Sequence, residues 1–235
     1  MRKLSLLLFL FLLPACLLSA KPMLEASLDE IDLGIVPQNC DFCREIVLRS
    51  TGDASVIITE VNTFCHCIEL PLEKKVIPPG DSLVVRLKFN SSSYVGNREW
   101  RPHIYCNTPG KYVRIGVKAF ILAGVLKHEP IYVHPHTVNA SQFGSVVTAE
   151  FPINLVNVSE EYVPLELIYS DEEYFKLDFP VFIEPNSTAV GSITLNEKGL
   201  ANEFETYLTF EYIDKFSEKK LYSVPIKRKI YKPKE

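Results

Sequence analysis

Six cysteines hold most of the reactive chemistry in this sequence, and their spacing divides them. Cys40 and Cys43 form a C-x-x-C, Cys65 and Cys67 form a C-x-C, and Cys106 stands alone. Cys16 sits in an apolar N-terminal run, and the second half of the chain has no cysteine. Two short thiol motifs admit three chemistries: structural disulfides, a tetrahedral Zn²⁺ or soft Cu(I) site, or thiol-disulfide exchange. Disulfides within the set Cys40, Cys43, Cys65 and Cys67 are the preferred reading for an exported domain. Pairing of one motif with the other is geometrically attractive. The Cα atoms of an extended C-x-C stand about 6.6 Å apart, near the upper limit for a bridge, so a Cys65–Cys67 bond needs a tight turn.

The alternative is a Zn or Cu ion held by Cys40, Cys43, Cys65 and Cys67, with His66 able to replace one thiolate. The separation of the motifs lacks the paired C-x-x-C pattern of zinc ribbons. Exchange chemistry uses a helix N-terminus to lower the attacking thiol's pKa, whereas Cys43 runs straight into the alternating segment Glu45 to Ser50. No G-x-S-x-G, P-loop, H-E-x-x-H or G-x-G-x-x-G occurs, so no catalytic residue is assigned. His134-Pro135-His136, with His128, reads as a wet loop, and Asp171, Glu172 and Glu173 as a solvated acidic turn.

The compartment decides how thiols are read. Arg2 and Lys3 precede an apolar run from Leu4 to Leu13, then Pro14 and small residues follow, which is the order of a signal peptide over residues 1–20. The run is shorter than the roughly 20 apolar residues that span a bilayer. Cleavage after Ala20 gives a periplasmic or secreted chain. The alternative is a lipobox at Leu13 to Cys16, which leaves Cys16 acylated and the protein an outer-membrane lipoprotein. Loss of Arg2 and Lys3 leaves 23 basic against 29 acidic residues, which argues against a nucleic-acid partner. Membrane contact is expected only through that lipid anchor.

The elements that must position the thiols are strands. Leu83, Val85, Leu87 and Phe89 alternate with Val84, Arg86 and Lys88, and Val113, Ile115, Val117, Ala119 and Ile121 with Tyr112, Arg114 and Lys118. Ile153 with Leu155, Leu165 with Leu167, Ile193 with Leu195, and Leu208 with Phe210 and Tyr212 show the same period of two. Turn residues bound these segments at short intervals, the signature of an all-β sandwich. Treating Glu45 to Ser50 and Val56 to Thr63 as an antiparallel pair brings all four thiols to one pole of the first sandwich. Cys106 then lies elsewhere, on the buried face of a strand with Ile104, opposite His103 and Tyr105. Pro102 in that strand forfeits a ladder bond, so the strand is bulged or near an edge.

The halves share an order of parts. Ile31 to Val36 answers to Ser141 to Val146, Glu45 to Val61 to Phe151 to Ile168, and Val76 to Asn90 to Phe182 to Asn196. The seam falls near Ala123 to Pro130. Five features carry a nameable resemblance: Asp32, Gly34 and Val36; the turn Ser50-Thr51-Gly52; Cys65 and Cys67; Ile77 to Gly80; and Asn107 to Pro109. On these the stretch from about Leu28 to Phe120 resembles the bacterial domain-of-unknown-function family 1573, an immunoglobulin-like sandwich of exported proteins. The family reads Cys-Gly-Cys-Thr where this chain has His66 and Ile68, and it lacks the C-x-x-C. The resemblance implies two tandem immunoglobulin-like antiparallel β-sandwiches after the signal sequence, over residues 24–123 and 130–231. It implies no agreed activity. The expected role is a non-enzymatic binding or scaffolding module whose partner is another envelope protein, against a metal-binding or thiol-exchange protein as the alternative.

Overall fold

A computed structural model describes residues 20–124 and 130–231; residues 1–19, on which most of the expected signal peptide and Cys16 fall, and His128 lie outside them. The first half runs through β1 (Leu24–Ala26), β2 (Glu30–Pro37), β3 (Asp41–Ser50), β4 (Val56–Asn62), β5 (Ile68–Glu69) and β6 (Val76–Ile77). It continues with β7 (Ser82–Asn90), β8 (Gly96–Trp100), β9 (His103–Cys106), β10 (Tyr112–Arg114) and β11 (Gly116–Leu122). Sheets of order β1-β3-β7-β5 and β10-β9-β4-β6 bury their inner faces in one core that includes Ile46, Leu48, Val85, Phe89, Ile58 and Ile104. The period of two reads out directly along β7, where Val85, Leu87 and Phe89 are buried and Val84 and Arg86 are exposed.

Two expectations about local pairing change. β3 and β4 do not form a hairpin: β3 already has β1 on one side and β7 on the other, so no ladder remains for β4, which pairs with β9 and β6. The Gly52 turn is therefore a corner between sheets. The strand expected from Trp100 to Cys106 is likewise two strands. Pro102 cannot donate to a ladder, and the chain changes sheets there, β8 pairing with β11 and β9 with β4 and β10. The run around Ile115 breaks in the same way between β10 and β11.

The second half runs through β12 (Ile131–His134), β13 (Val138–Asn139), β14 (Gln142–Phe143), β15 (Glu150–Asn157), β16 (Val163–Tyr169) and β17 (Phe175–Asp178). Next come β18 (Phe182–Ile183), β19 (Thr188–Leu195), a short helix α1 (Glu197–Ala201), β20 (Phe204–Ile213), β21 (Lys219–Arg228) and β22 (Ile230–Tyr231). The order β12-β15-β19-β17 repeats the order β1-β3-β7-β5 of the first half. Asn196 caps α1 by accepting the Gly199 N–H at 2.9 Å. Leu167 departs from the expected alternation. It is exposed although it pairs with Phe210 in regular register, and a register shift follows between Leu167 and Tyr169.

The fold is all-β and immunoglobulin-like, but the two sandwiches are not separate beads. One sheet of order β18-β16-β20-β21-β2-β11-β8 runs through both halves. Its central join is the parallel pairing of β2 with β21 at Ile35 and Tyr222, tied further by the buried Ser223 hydroxyl donating to Leu33 O at 2.6 Å. Gly34 makes the approach possible. It has φ +58°, and a Cβ there would stand 2.2 Å from Leu221 O. Side chains also cross the join, since Tyr207 of β20 packs in the first core and Ile35 of β2 in the second.

Candidate functional site

The four cysteines of the two motifs do not converge. Cys65 and Cys67 are bonded to each other, with Cα atoms 5.3 Å apart, and Cys40, Cys43 and Cys106 are free. The bond corrects the expectation of pairing between motifs. Residues 64–67 are bent rather than extended, beginning with Phe64 at φ 57°, so the C-x-C falls within bridging distance. The two motifs do reach the same end of the sandwich, but on opposite sides of β7. Cys67 O accepts the Asn90 N–H at 2.8 Å, while Asp41 faces Asn90 from β3 and Cys40 O accepts the Ser91 N–H at 3.0 Å. Two ladder spacings, roughly 10 Å, thus separate the motifs. Among the described residues no three His, Cys, Asp or Glu side chains are grouped to hold a metal ion, and Cys40, Cys43, Cys65 and Cys67 are not gathered at one point.

Nor can the C-x-x-C close. From Asp41 to Cys43 the chain is strand, so three residues of extended rise set Cys40 and Cys43 roughly 10 Å apart, beyond disulfide reach. Cys43 is buried opposite Lys88, and its thiol lies 3.8 Å from Glu205 Oε2. Burial pushes its pKa up to about 11, with the nearby Glu205 charge adding to the rise against Arg86 and Lys88. Cys40 is half-buried, its Sγ 3.3 Å from Thr137 Oγ1, and burial raises its pKa as well. Both thiols are protonated at neutral pH and poor nucleophiles. Cys106 is buried opposite Ile58, its Sγ 3.2 Å from Thr108 Oγ1.

Around Cys43 the halves are locked by charges that sequence reading left unassigned. Lys88 Nζ lies 3.0 Å from Glu205 Oε2 and 3.4 Å from Asp41 Oδ2, and Arg86 donates to Glu205 O at 2.6 Å. Burial works to raise the Glu205 carboxyl. The hydrogen bond and charge of Lys88, with Lys229 and Arg86, outweigh it and hold the pKa below the usual carboxylate range. Two residues on, the Tyr207 hydroxyl accepts from Arg44 Nη1 at 3.2 Å, and the Arg44 guanidinium stacks 3.7 Å over Tyr169. A pattern was available: Glu205 and Tyr207 share one parity on β20, whose residues 206–210 are buried on both faces. Only a strand covered on both sides reads that way.

Two features at the join are open. A hollow of about 630 Å³ crosses it, lined among others by Asp32, Ile35, Arg98, Lys118, Phe120 and Leu221. Beside it β8 ends the shared sheet, and among the described residues no strand pairs with its outer side. Arg98 and Glu99 on that edge are exposed, a charge pattern that discourages indiscriminate strand pairing. His66 is exposed, as is His134, whose ring centroid is 6.3 Å from that of half-buried His136.

The turns singled out in the sequence prove to be framework. Gly80 N donates to Ser50 O and Ser50 N to Asp81 O, both at 3.0 Å, so the Ser50-Thr51-Gly52 and Ile77 to Gly80 turns brace each other. Asn107 caps the Ser55–Ile57 segment, accepting the Ile57 N–H at 2.8 Å and donating to Ser55 O at 3.1 Å. Residues 24–121 match the protein family of unknown function DUF1573. All five motif features lie inside the DUF1573 segment, and the match stops before the second half. No curated protein matches the chain. Three solved structures are distantly similar. They are the VesB protease of Vibrio cholerae (11% identity, 43% of this chain and 32% of that one, TM-score 0.35); a protein of unknown function from Porphyromonas gingivalis W83 (10%, 87% and 99%, TM-score 0.35); and the ASH/PapD-like domain 7 of human CEP192 (9%, 53% and 99%, TM-score 0.38). The chain spans about a third of the length of the VesB structure, and likenesses this distant carry no functional argument.

Proposed function

We propose that the chain is an exported, non-enzymatic scaffold of the bacterial cell envelope, and that it takes an extended segment of another envelope protein along the open edge of its shared sheet. The observation that carries this reading is the unpaired outer side of β8 beside the hollow at the join. A free strand edge supplies main-chain donors and acceptors for β-augmentation, and a neighbouring hollow supplies side-chain selectivity. The lock between the halves keeps edge and hollow in one fixed geometry. The buried, protonated thiols favour this reading over thiol exchange.

Export rests on the N-terminal run and on one contact. The Lys21 backbone N–H donates to the Asp53 carboxylate, and Asp53 N donates back to Lys21 O at 3.2 Å. Cleavage after Ala20 would turn the Lys21 nitrogen into an ammonium facing that carboxylate, a charge-assisted bond. The expected mature N-terminus by protein sequencing is Lys21; acylation on Cys16 would overturn soluble export. For the partner, a photo-crosslinking residue at Asn97 should yield one dominant protein adduct in intact envelopes. No adduct, or the same adduct from exposed Val190 on β19, would remove the edge from consideration.

A further inference from the structure

The strand break at Pro102 has a second result on the outer side of the first half. β4, β9 and β10 pair with Glu60 opposite Tyr105 and Asn62 opposite His103, then Tyr112 opposite Tyr105 and Arg114 opposite His103. These six residues therefore share one face of a three-stranded sheet, while Val61, Ile104 and Val113 on the other face pack on the core. The rings on the outer face form a cluster. His103 and Tyr112 stack at 4.3 Å with 8° between planes, Tyr105 meets Tyr112 edge-on at 5.7 Å, and Phe64 meets His103 edge-on at 5.0 Å.

Phe64 is 61% and Tyr112 44% exposed, so both rings of the cluster present apolar area to solvent. Their presentation is rigid. Phe64 is held at φ 57°, its N–H bonded to Asn62 Oδ1 at 2.9 Å, and the Cys65–Cys67 bond follows at once. Tyr112 follows Lys111 at φ 64° in the β9–β10 turn. The disulfide is thus a local brace for an exposed ring.

We propose that this outer face of β4, β9 and β10 binds an uncharged glycan. The negative π-face of an aromatic ring attracts the polarised C–H groups of a sugar, and such rings present flat area at low entropic cost. The polar groups around the rings are hydrogen-bonding and balanced in charge: one carboxylate (Glu60), one guanidinium (Arg114), one amide (Asn62) and two phenols. That set suits a neutral polyhydroxyl ligand. Among the six residues of this face a polyanion would find one guanidinium, with Lys111 beside it, on a chain of net charge −4, and a dry protein interface would leave this polar rim unmatched. The proposal goes beyond the strand-edge reading and does not depend on it.

The test is native affinity electrophoresis of the whole mature chain in gels containing xylan, mixed-linkage β-glucan, galactomannan or dextran, with heparin as the polyanion. At least one neutral polysaccharide should retard the protein and heparin should not. Phe64→Ala and Tyr112→Ala should each weaken that retardation about tenfold, in the range that loss of an aromatic stacking partner produces, and Tyr112→Phe should weaken it less. Both side chains are exposed, so unchanged thermal melting of the variants is the control for folding. Retardation by none of the four, equal retardation by heparin, or retardation that survives both alanine variants would overturn the proposal. So would sedimentation showing that Tyr112→Ala splits a dimer, which would assign the face to a second copy. Crosslinking at Asn97 reads the strand edge separately, so either idea can fail alone.

Discussion

The two halves share a strand order yet use it differently. In the first half the chain breaks at Pro102 and Ile115 and distributes short strands between two sheets, which opens an aromatic outer face and leaves β8 as an edge. In the second half β20 and β21 run ten residues each in continuous antiparallel register from Phe204–Arg228 to Ile213–Lys219. That unbroken hairpin is covered on one side by its own core and reaches into the first core with Tyr207. The lesson is one of division of labour: the cysteine-free half supplies the unbroken hairpin at the join, and the broken half carries the open strand edge and the Phe64, His103 and Tyr112 ring cluster.

Four changes would break or sharpen this contrast, from largest effect to smallest. Tyr207→Ala removes a ring 1% exposed in the first core and should cost about 3–5 kcal/mol in urea unfolding. Because the sheet is shared, the fluorescence of Trp100, the single tryptophan, should fall in the same transition as the far-ultraviolet circular dichroism of the whole chain. Separate transitions would show that the brace is weaker than the sheet implies.

Gly34 and Gly144 occupy matching places in the two halves, and both have positive φ. Gly34→Ala adds a clash with the Leu221 backbone to the left-handed penalty and should cost about 3 kcal/mol or more. Gly144 has open space at its Cβ position, so Gly144→Ala should cost only about 1–2 kcal/mol. Equal losses in denaturant titrations would mean that close approach is not what distinguishes these two positions.

Reduction of the Cys65–Cys67 bond should cost about 1–2 kcal/mol, because a bridge spanning a sequence separation of two constrains little of the unfolded chain. Intact mass before reduction should show one disulfide and three thiols, and a bridge between Cys40 or Cys43 and the C-x-C would refute the arrangement.

The smallest effect concerns pH. Glu205 is held below the usual carboxylate range, so its contribution is present above the unfolded value of about 4.3 and is lost as pH falls through the lowered folded value. Lys88→Met leaves its burial opposed by less positive charge, so the acid-unfolding midpoint should move to higher pH; an unmoved midpoint would show that Lys88 is not the restraining charge.

Much of the fold was legible because strand alternation is a local property. The buried positions of β7, β11, β15 and β19 follow from the apolar period of two, and the anomaly at Pro102 followed from a missing N–H. Leu167 escaped because it keeps the parity of Leu165 and yet is exposed, a matter of what covers the strand rather than of its pattern. The site was less legible. The four-thiol pole assumed that consecutive strands pair, whereas β3 and β4 belong to opposite sheets, and β7 stands between the two motifs. Glu205 was invisible as a partner of Lys88 because sequence positions so far apart carry no signal of contact.

By itself the sequence determined the all-β class, the inward face of most strands and the likeness of residues 24–121 to a family of unknown function, since each depends on short-range pattern. Tertiary structure alone decided that the halves share one sheet, that Cys65 pairs with Cys67 while the C-x-x-C stays open, and that Phe64, His103 and Tyr112 meet. Those outcomes depend on which strands become neighbours, and that choice is made by whole-chain packing, including the close approach at Gly34.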